Sequence, residues 1–324
     1  MTTAFNRARR YGVGAAFWAL GLAAASSASA QETVRIGLAT QAWWPTVVAE
    51  AAVRQGLFEK EGLTAELTVY QSGGETFTAL AAGAADVISI QPSIVATGRT
   101  KGVEAKMVAL GANANYGWNL IVPADSEVQE VSQLEGKNVG ITASGSLSDF
   151  LALWTIKEEG VTFNSVPLGG AGLVPNLISG NVDAAVVFAP LSFQVIQSGD
   201  GRSILDYGAA IPEHLNSGWA ASDAFIESDG PVLQKTLNAL YGGVAWIQAN
   251  EEEAIDLLVE LNQVDRTVAE QDYREQFAKL SADGILDVAG AQAAVDLAVI
   301  GGMTDLAPGA DIVEDRFRPV PTQP

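Results

Sequence analysis

The 324-residue chain predicts an α/β fold made of two lobes on one plan. Strand and helix patterns alternate with short returns between Val34 and Ser198, the grammar of βαβ units. Leu80-Ala81-Ala82-Gly83-Ala84-Ala85-Asp86-Val87 is also echoed by Leu177-Ile178-Ser179-Gly180-Asn181-Val182-Asp183-Ala184. Each copy is a helix end, a Gly, a small residue and an Asp opening a buried strand, and each strand runs into a Pro-containing turn, Gln91-Pro92 and Ala189-Pro190. An internal echo at this level marks a duplicated plan.

The elements follow in order. Residues 34–38 alternate as a strand. A loop over 39–45 leads into a helix over 46–55, which Gly56 ends. Phe58-Glu59-Lys60-Glu61-Gly62 turns the chain back into a strand over 65–70, and so short a return implies a parallel pair. The unit repeats as a loop over 71–75, a helix over 76–82 stopped near Gly83, a strand over 86–90, a helix opened by Gln91-Pro92-Ser93 and reaching residue 100, and a strand over 105–110. A strand over 117–122 leaves this first sheet. The middle repeats the grammar: a short helix and turn over 131–137, a strand over 138–141, a loop over 142–146, and a helix over 147–159. A helix over 173–179, a strand over 182–188 and a helix to Ser198 follow. From Pro231 onward the pattern is helical, over 232–250, 251–262 and 268–281, with apolar residues recurring at three and four, so these helices pack on a lobe. After Ala307 a Pro-rich tail reads as an extended strap.

The first 30 residues read as an export signal. Arg7, Arg9 and Arg10 form a basic start without acids, residues 11–24 are largely apolar, and Ala28-Ser29-Ala30 fits a cleavage site before Gln31. The apolar stretch is shorter than the roughly 20 residues a membrane span needs. The chain carries 18 basic and 38 acidic residues, a net charge of −20, and the signal removes only Arg from this balance. A surface so acidic argues against nucleic acid and anionic lipid as partners. There is no Cys and a single His, which removes disulfides, thiolate nucleophiles and thiolate metal sites. No metal site and no cofactor are expected. The exported part is long for one core and comfortable for two lobes; it reads as a monomer, free in the periplasm.

Five motifs in sequence carry a resemblance: Gly56-Leu57-Phe58-Glu59-Lys60-Glu61-Gly62-Leu63, the segment 80–87, Leu134-Glu135-Gly136-Lys137-Asn138-Val139-Gly140, Gly180-Asn181-Val182-Asp183-Ala184-Ala185-Val186, and the early strand with its Trp/Pro loop. In this order they resemble the solute-binding proteins of ABC importers in the nitrate/sulfonate/taurine and thiamine-pyrimidine group, along essentially the whole exported chain. The resemblance implies the type 2 periplasmic binding fold, two α/β lobes with a hinge and an interlobe cleft. Lobe one is expected at 31–118 plus 219–324, lobe two at 119–218. It further implies a small-molecule solute and an ABC permease in the inner membrane as partners.

In open α/β sheets ligands sit beyond the carboxyl ends of strands, against helix N-termini whose free N–H groups suit anions. Five loops qualify: 40–45, 72–75, 91–93, 142–146 and the turn at Ala189-Pro190. They nominate Gln41, Trp43, Trp44, Gly74, Glu75, Gln91, Pro92, Thr142, Ser144, Ser146, Asp149, Phe188 and Pro190 as ligand-binding residues, with Tyr116, Trp118 and Trp219 at the crossings between lobes. Ser146 doubles as a helix N-cap with Asp149 three residues on. Trp154 and Trp246, inside helical patterns, read as core. None of the five loops holds Arg or Lys, so no bidentate clamp on an anion is visible. Glu75 and Asp149 beside the Trp residues favour an aromatic or heterocyclic solute with donor groups, such as a pyrimidine, with sulfonate or carboxylate as the other choice. An enzyme of pyrimidine metabolism on the same scaffold, or a receptor for a membrane sensor, are the competing readings. Against the enzyme stand one His, His214 in an apparent loop, and the lack of a Ser-His-Asp set or phosphate loop; Gly169-Gly170-Ala171-Gly172 reads as a turn.

Overall fold

The computed structural model describes residues 31–324; the export signal lies outside the described residues. Along the chain run β1 (Glu32–Leu38), α1 (Trp44–Arg54), α2 (Leu57–Lys60), β2 (Leu63–Val69), α3 (Gly73–Ala81), β3 (Val87–Ile90), α4 (Pro92–Thr100) and β4 (Ala105–Ala112). Then come β5 (Asn119–Pro123), β6 (Asn138–Ile141), α5 (Leu147–Glu158), β7 (Asn164–Pro167), α6 (Leu173–Ile178), β8 (Ala184–Val187), α7 (Leu191–Gln197), β9 (Gly201–Asp206) and α8 (Tyr207–Ala210). The chain closes with β10 (Ser217–Ser222), α9 (Asp223–Ser228), α10 (Gly230–Ala249), α11 (Glu251–Asn262), α12 (Arg266–Glu275) and α13 (Val288–Ile300).

Two five-stranded sheets result, ordered β2-β1-β3-β10-β4 and β7-β6-β8-β5-β9. They are the same design. In each, four strands run in one direction, and the fifth, antiparallel strand comes from the segment that has just crossed from the other sheet. β5 enters the second sheet after β4; β10 returns to the first after β9. The sheets are therefore mixed rather than parallel throughout. The sequence echo is a structural equivalence. Asp86 accepts the Arg35 N–H of β1 at 2.8 Å, and Asp183 accepts the Asn138 N–H of β6 at 2.9 Å. Gly83 and Gly180 before them hold left-handed φ values of 68° and 72°, a conformation open to Gly at a helix end.

The crossings are tied to each other. The His214 N–H donates to the Asn113 carbonyl at 2.9 Å, Asn216 Nδ2 to Asn115 Oδ1 at 2.6 Å, and Asn113 Nδ2 to Glu213 Oε2 at 3.0 Å. The two connections between the sheets therefore run side by side, bonded to each other. The C-terminal helices do more than cover the first sheet. α10 lies across α1, whereas α12 meets α7 beside the second sheet, where Gln197 Nε2 donates to Gln271 Oε1 at 2.6 Å. α13, which the sequence pattern did not announce, packs on α5. The Pro-rich tail is held as a strap along the first lobe: Met107 donates to the Ile312 carbonyl at 2.7 Å and Thr322 to the Asn238 carbonyl at 3.1 Å.

Candidate functional site

Four helices begin at one cavity between the lobes. Trp43 is the N-cap of α1, Gly73 the first residue of α3, Gln91 the N-cap of α4 and Ser146 the N-cap of α5. All four line the same space, with Ala39, Thr40, Trp118, Thr142, Leu147 and Phe188. The reason is local. Each strand of a βα unit ends at the same edge of its sheet, so the helix that follows starts there. Pro45 and Pro92 occupy first-turn positions, where the missing N–H costs nothing. Ser72 and Ser146 cap α3 and α5 by accepting from the N–H groups of Glu75 and Asp149, each at 3.3 Å.

The two walls differ in their polar accounts. On the second lobe, Thr142, Ser146 and Ser148 form a closed ring of hydroxyls, with oxygen separations of 2.8, 2.9 and 2.8 Å, and Ser148 Oγ accepts the Thr142 N–H at 2.8 Å. On the first lobe, Gln91 is 4 % exposed and Thr40 is 9 % exposed, and Gln91 Nε2 and Thr40 Oγ1 have no partner. Buried polar groups left unpaired cost about 1–3 kcal/mol each, so these two atoms offer free hydrogen-bonding capacity at the cavity wall. The loop that carries Thr40 is itself fixed, because Thr46 Oγ1 donates to the Thr40 carbonyl at 2.6 Å. Aromatic rings close the cavity: Trp43 on one side, and Trp118 against Phe188 on the other, 5.3 Å between centroids. No charged residue lines it.

The cavity gathers six of the nominated residues: Trp43, Gln91, Trp118, Thr142, Ser146 and Phe188. Gln41 lines a larger space at its mouth. The others are placed elsewhere. Trp44 turns into the first lobe's core, its Nε1 donating to Ser217 Oγ at 3.3 Å and its ring filling the room left by Gly111. Trp219 is fully buried in β10 and meets Trp44 edge-on at 5.8 Å. Tyr116 donates to Asn113 Oδ1 at 2.7 Å in the crossing, with Lys279 Nζ 5.2 Å from its ring centre. Pro92 lines a small neighbouring space beside Ser93 and His214. Pro190 leads α7 from behind Phe188. Gly74 faces the exposed Ser144 across the cleft; a Cβ there would stand 3.6 Å from the Ser144 carbonyl oxygen.

The two acids are spent on their own loops. Glu75 Oε2 accepts the Gln71 N–H at 3.0 Å, and Asp149 Oδ2 accepts the Gly145 N–H at 2.7 Å. Burial pushes the Asp149 carboxyl up from its ordinary value, and the Gly145 N–H pulls it back. Neither carboxylate lines the cavity, so they supply no acceptor for the amino groups of a heterocycle. Ala39, Thr40, Gly73 and Leu147 line the cavity and were not nominated. Ser72-x-x-Glu75 has the sequence pattern of a capping box; Ser72 does cap the helix that starts at Gly73, while the Glu75 carboxylate goes to the Gln71 N–H. His214, nominated for nothing, is 6 % exposed in the crossing, with Nδ1 2.8 Å from the Pro212 carbonyl. Among the described residues no cluster of His, Asp and Glu could hold a metal ion, and no helix is long and apolar enough to cross a membrane.

Known proteins share this design. A Bacillus subtilis protein named for binding aliphatic sulfonates is 26% identical, over 73% of this chain and 72% of its own. The formylaminopyrimidine-binding protein of Halalkalibacterium halodurans is 25% identical, over 72% of each. The alkanesulfonate-binding protein SsuA of Xanthomonas axonopodis pv. citri, solved with MOPS bound, superposes with a TM-score of 0.75 over 86% of this chain and 97% of its own, at 17% identity. That likeness gives the periplasmic binding fold. The sequence profile of the NMT1-like family matches residues 28–261, and the chain belongs to the NMT1-like family.

Proposed function

We propose that this protein is the periplasmic substrate-binding component of an ABC importer, and that it closes its lobes on a small organic monoanion, a sulfonate or carboxylate, in the cavity between them. One observation carries the reading: four helix N-termini converge on an uncharged, aromatic-walled cavity that also holds the unpartnered Gln91 Nε2 and Thr40 Oγ1. Each helix end contributes about 0.3–1 kcal/mol toward a negative charge, more when partly buried. Together they replace the Arg clamp that the loops lack. A dianion would bring a second charge with no cation to meet it, so a single charge fits best. Closure expels water and strengthens each of these contacts.

The wider reading rests on kinship and sequence. Both relatives above are named as binding proteins, and the basic, apolar and small-residue pattern of residues 1–30 directs export. In this reading lobe one takes 31–118 plus 219–324 and lobe two 119–218, with β10 entering the first sheet from Ser217, and the protein acts as a monomer that presents its solute to a permease. A thermal-shift panel of organic sulfonates, carboxylates and aminopyrimidines tests the ligand class. A saturating monoanion at a hundred times its Kd is expected to add about 2.7 kcal/mol of stability, and to be recovered unchanged after denaturation. Stabilisation by aminopyrimidines alone would sink the anion reading; recovery of an altered compound would sink the receptor reading.

A further inference from the structure

Gly169-Gly170-Ala171-Gly172, the turn after β7 of the second sheet, reaches the loop after β2 of the first. The Gly170 N–H donates across the cleft to the Gln71 carbonyl at 3.2 Å. Both ends of this bond are anchored from behind. The Gly169 N–H donates to the Thr142 carbonyl at 2.9 Å, at the end of β6. On the other side Glu75 Oε2 holds the Gln71 N–H, which gives that carboxylate its use. Thr142 also lines the cavity between the sheets, so the turn is fastened to one of the cavity walls.

Gly170 meets the opposite wall as well. A Cβ on Gly170 would fall 2.8 Å from Thr40 Cγ2, but 3.4 Å from Thr40 Cβ and 3.5 Å from Phe188 Cζ. The first separation is a clash, and the other two lie close to ordinary carbon contact. One methyl group of Thr40 therefore occupies the room that a side chain at 170 would need. Gly169 has a left-handed φ of 70°, whereas Gly170 has no positive φ, so an alanine suits the backbone at 170 and conflicts with that methyl alone. The methyl also fixes Thr40. Its side chain has three staggered positions, and Cγ2 against Gly170 selects the one that leaves Oγ1 buried and unpaired at the cavity.

We propose that Gly170 is a positioning residue for closure: without a side chain it docks its N–H on the Gln71 carbonyl, and its backbone then holds Thr40 with Oγ1 turned to the cavity. The inference rests on the reading that the lobes close on a solute, and it is independent of the solute's chemical class. Gly170 touches no ligand; it acts through Thr40. A solute that bonds Thr40 from the cavity and a turn that holds Thr40 from the mouth act on one side chain. Each then favours the other, a coupling that runs equally in both directions.

A double-mutant cycle on the full exported chain tests the contact, with propanesulfonate as the calorimetric probe. The lobes of Gly170→Ala can escape the clash by staying apart, so the ligand-free variant should unfold at about the parent's denaturant midpoint. Its affinity should nevertheless fall about tenfold. Thr40→Ser keeps the hydroxyl and deletes Cγ2. In that background Gly170→Ala should cost less than about threefold, because the clashing methyl is gone. Strain confined to residue 170 would cost the same in both backgrounds. An equal loss in both, or no loss in either, overturns the proposal. Failure of propanesulfonate to bind the parent sinks the anion reading instead, and the cycle is then read without ligand. Exchange of the amide proton of residue 170 reports the bond to Gln71. It should be about tenfold faster in Gly170→Ala than in the parent and return toward the parent's rate in the double variant. Equal rates in all three overturn the proposal.

Discussion

The two walls of the cavity are built from equivalent loops and reach opposite polar states. On the second lobe the hydroxyls of Thr142, Ser146 and Ser148 satisfy one another. On the first lobe Gln91 Nε2 and Thr40 Oγ1 are buried and unpaired. A self-satisfied ring keeps the α5 cap in place whether or not a ligand is present. Unpaired donors store a penalty that a ligand acceptor releases. On the proposed function the second wall is a prepared surface, and the first wall is where binding energy would be gained.

Substitutions can break this contrast. The largest effect falls just outside it. Trp44→Ala empties the packing of the first lobe and is expected to cost about 3–5 kcal/mol of stability, measured by denaturant unfolding. Trp43→Ala next door should instead weaken ligand binding on the order of tenfold through lost stacking and burial. If the two variants exchange phenotypes, the assignment of the rings is wrong. Gln91→Leu should lower monoanion affinity by about 1.5–3 kcal/mol, the worth of a hydrogen bond to a charged group. The ligand-free protein should at the same time melt no lower than the parent, since an orphan donor is removed. Ser146→Ala should do the reverse, costing about 1 kcal/mol of stability through the lost cap with a smaller change in affinity. A ligand-free Gln91→Leu that is strongly destabilised would show that its Nε2 was satisfied after all.

The smallest expected effect concerns the crossing. Burial lowers the His214 proton affinity, against the Pro212 carbonyl that raises it. The unfolded chain then takes up the proton more readily, so stability drains as pH falls below about 6.5 and on through the folded value. Glu213 and Asp287 line the adjoining space. His214→Gln should flatten this acid limb in melting curves recorded between neutral pH and pH 5. An unchanged limb would assign it to carboxylates.

Much of the site was legible because punctuation in the sequence is also geometry at a strand end. Gln91, Thr142 and Ser146 lie where a buried strand meets a helix cap, and their side chains reach the cavity. Adjacent residues could not be told apart in this way. Trp43 and Trp44 share a loop, but helix α1 starts between them, and about 100° of helical turn sends one ring to the cleft and the other to the core. Some elements were illegible for compositional reasons. β10 reads Ser-Gly-Trp-Ala-Ala-Ser, small residues without alternation, because it runs between two neighbours and is buried on both faces. α13 is small and apolar apart from Gln292 and Asp296, so no apolar stripe stands out to announce it. The fate of Glu75 and Asp149 depended on which backbone N–H each would find, a matter of loop conformation and not of spacing.

The proposed site recognises charge without a cationic side chain. Calorimetry comparing propanesulfonate with the neutral propanesulfonamide, equal in shape, tests that most directly. Four helix ends and two free donors predict the sulfonamide about a hundredfold weaker. Equal affinity for the two would contradict the account.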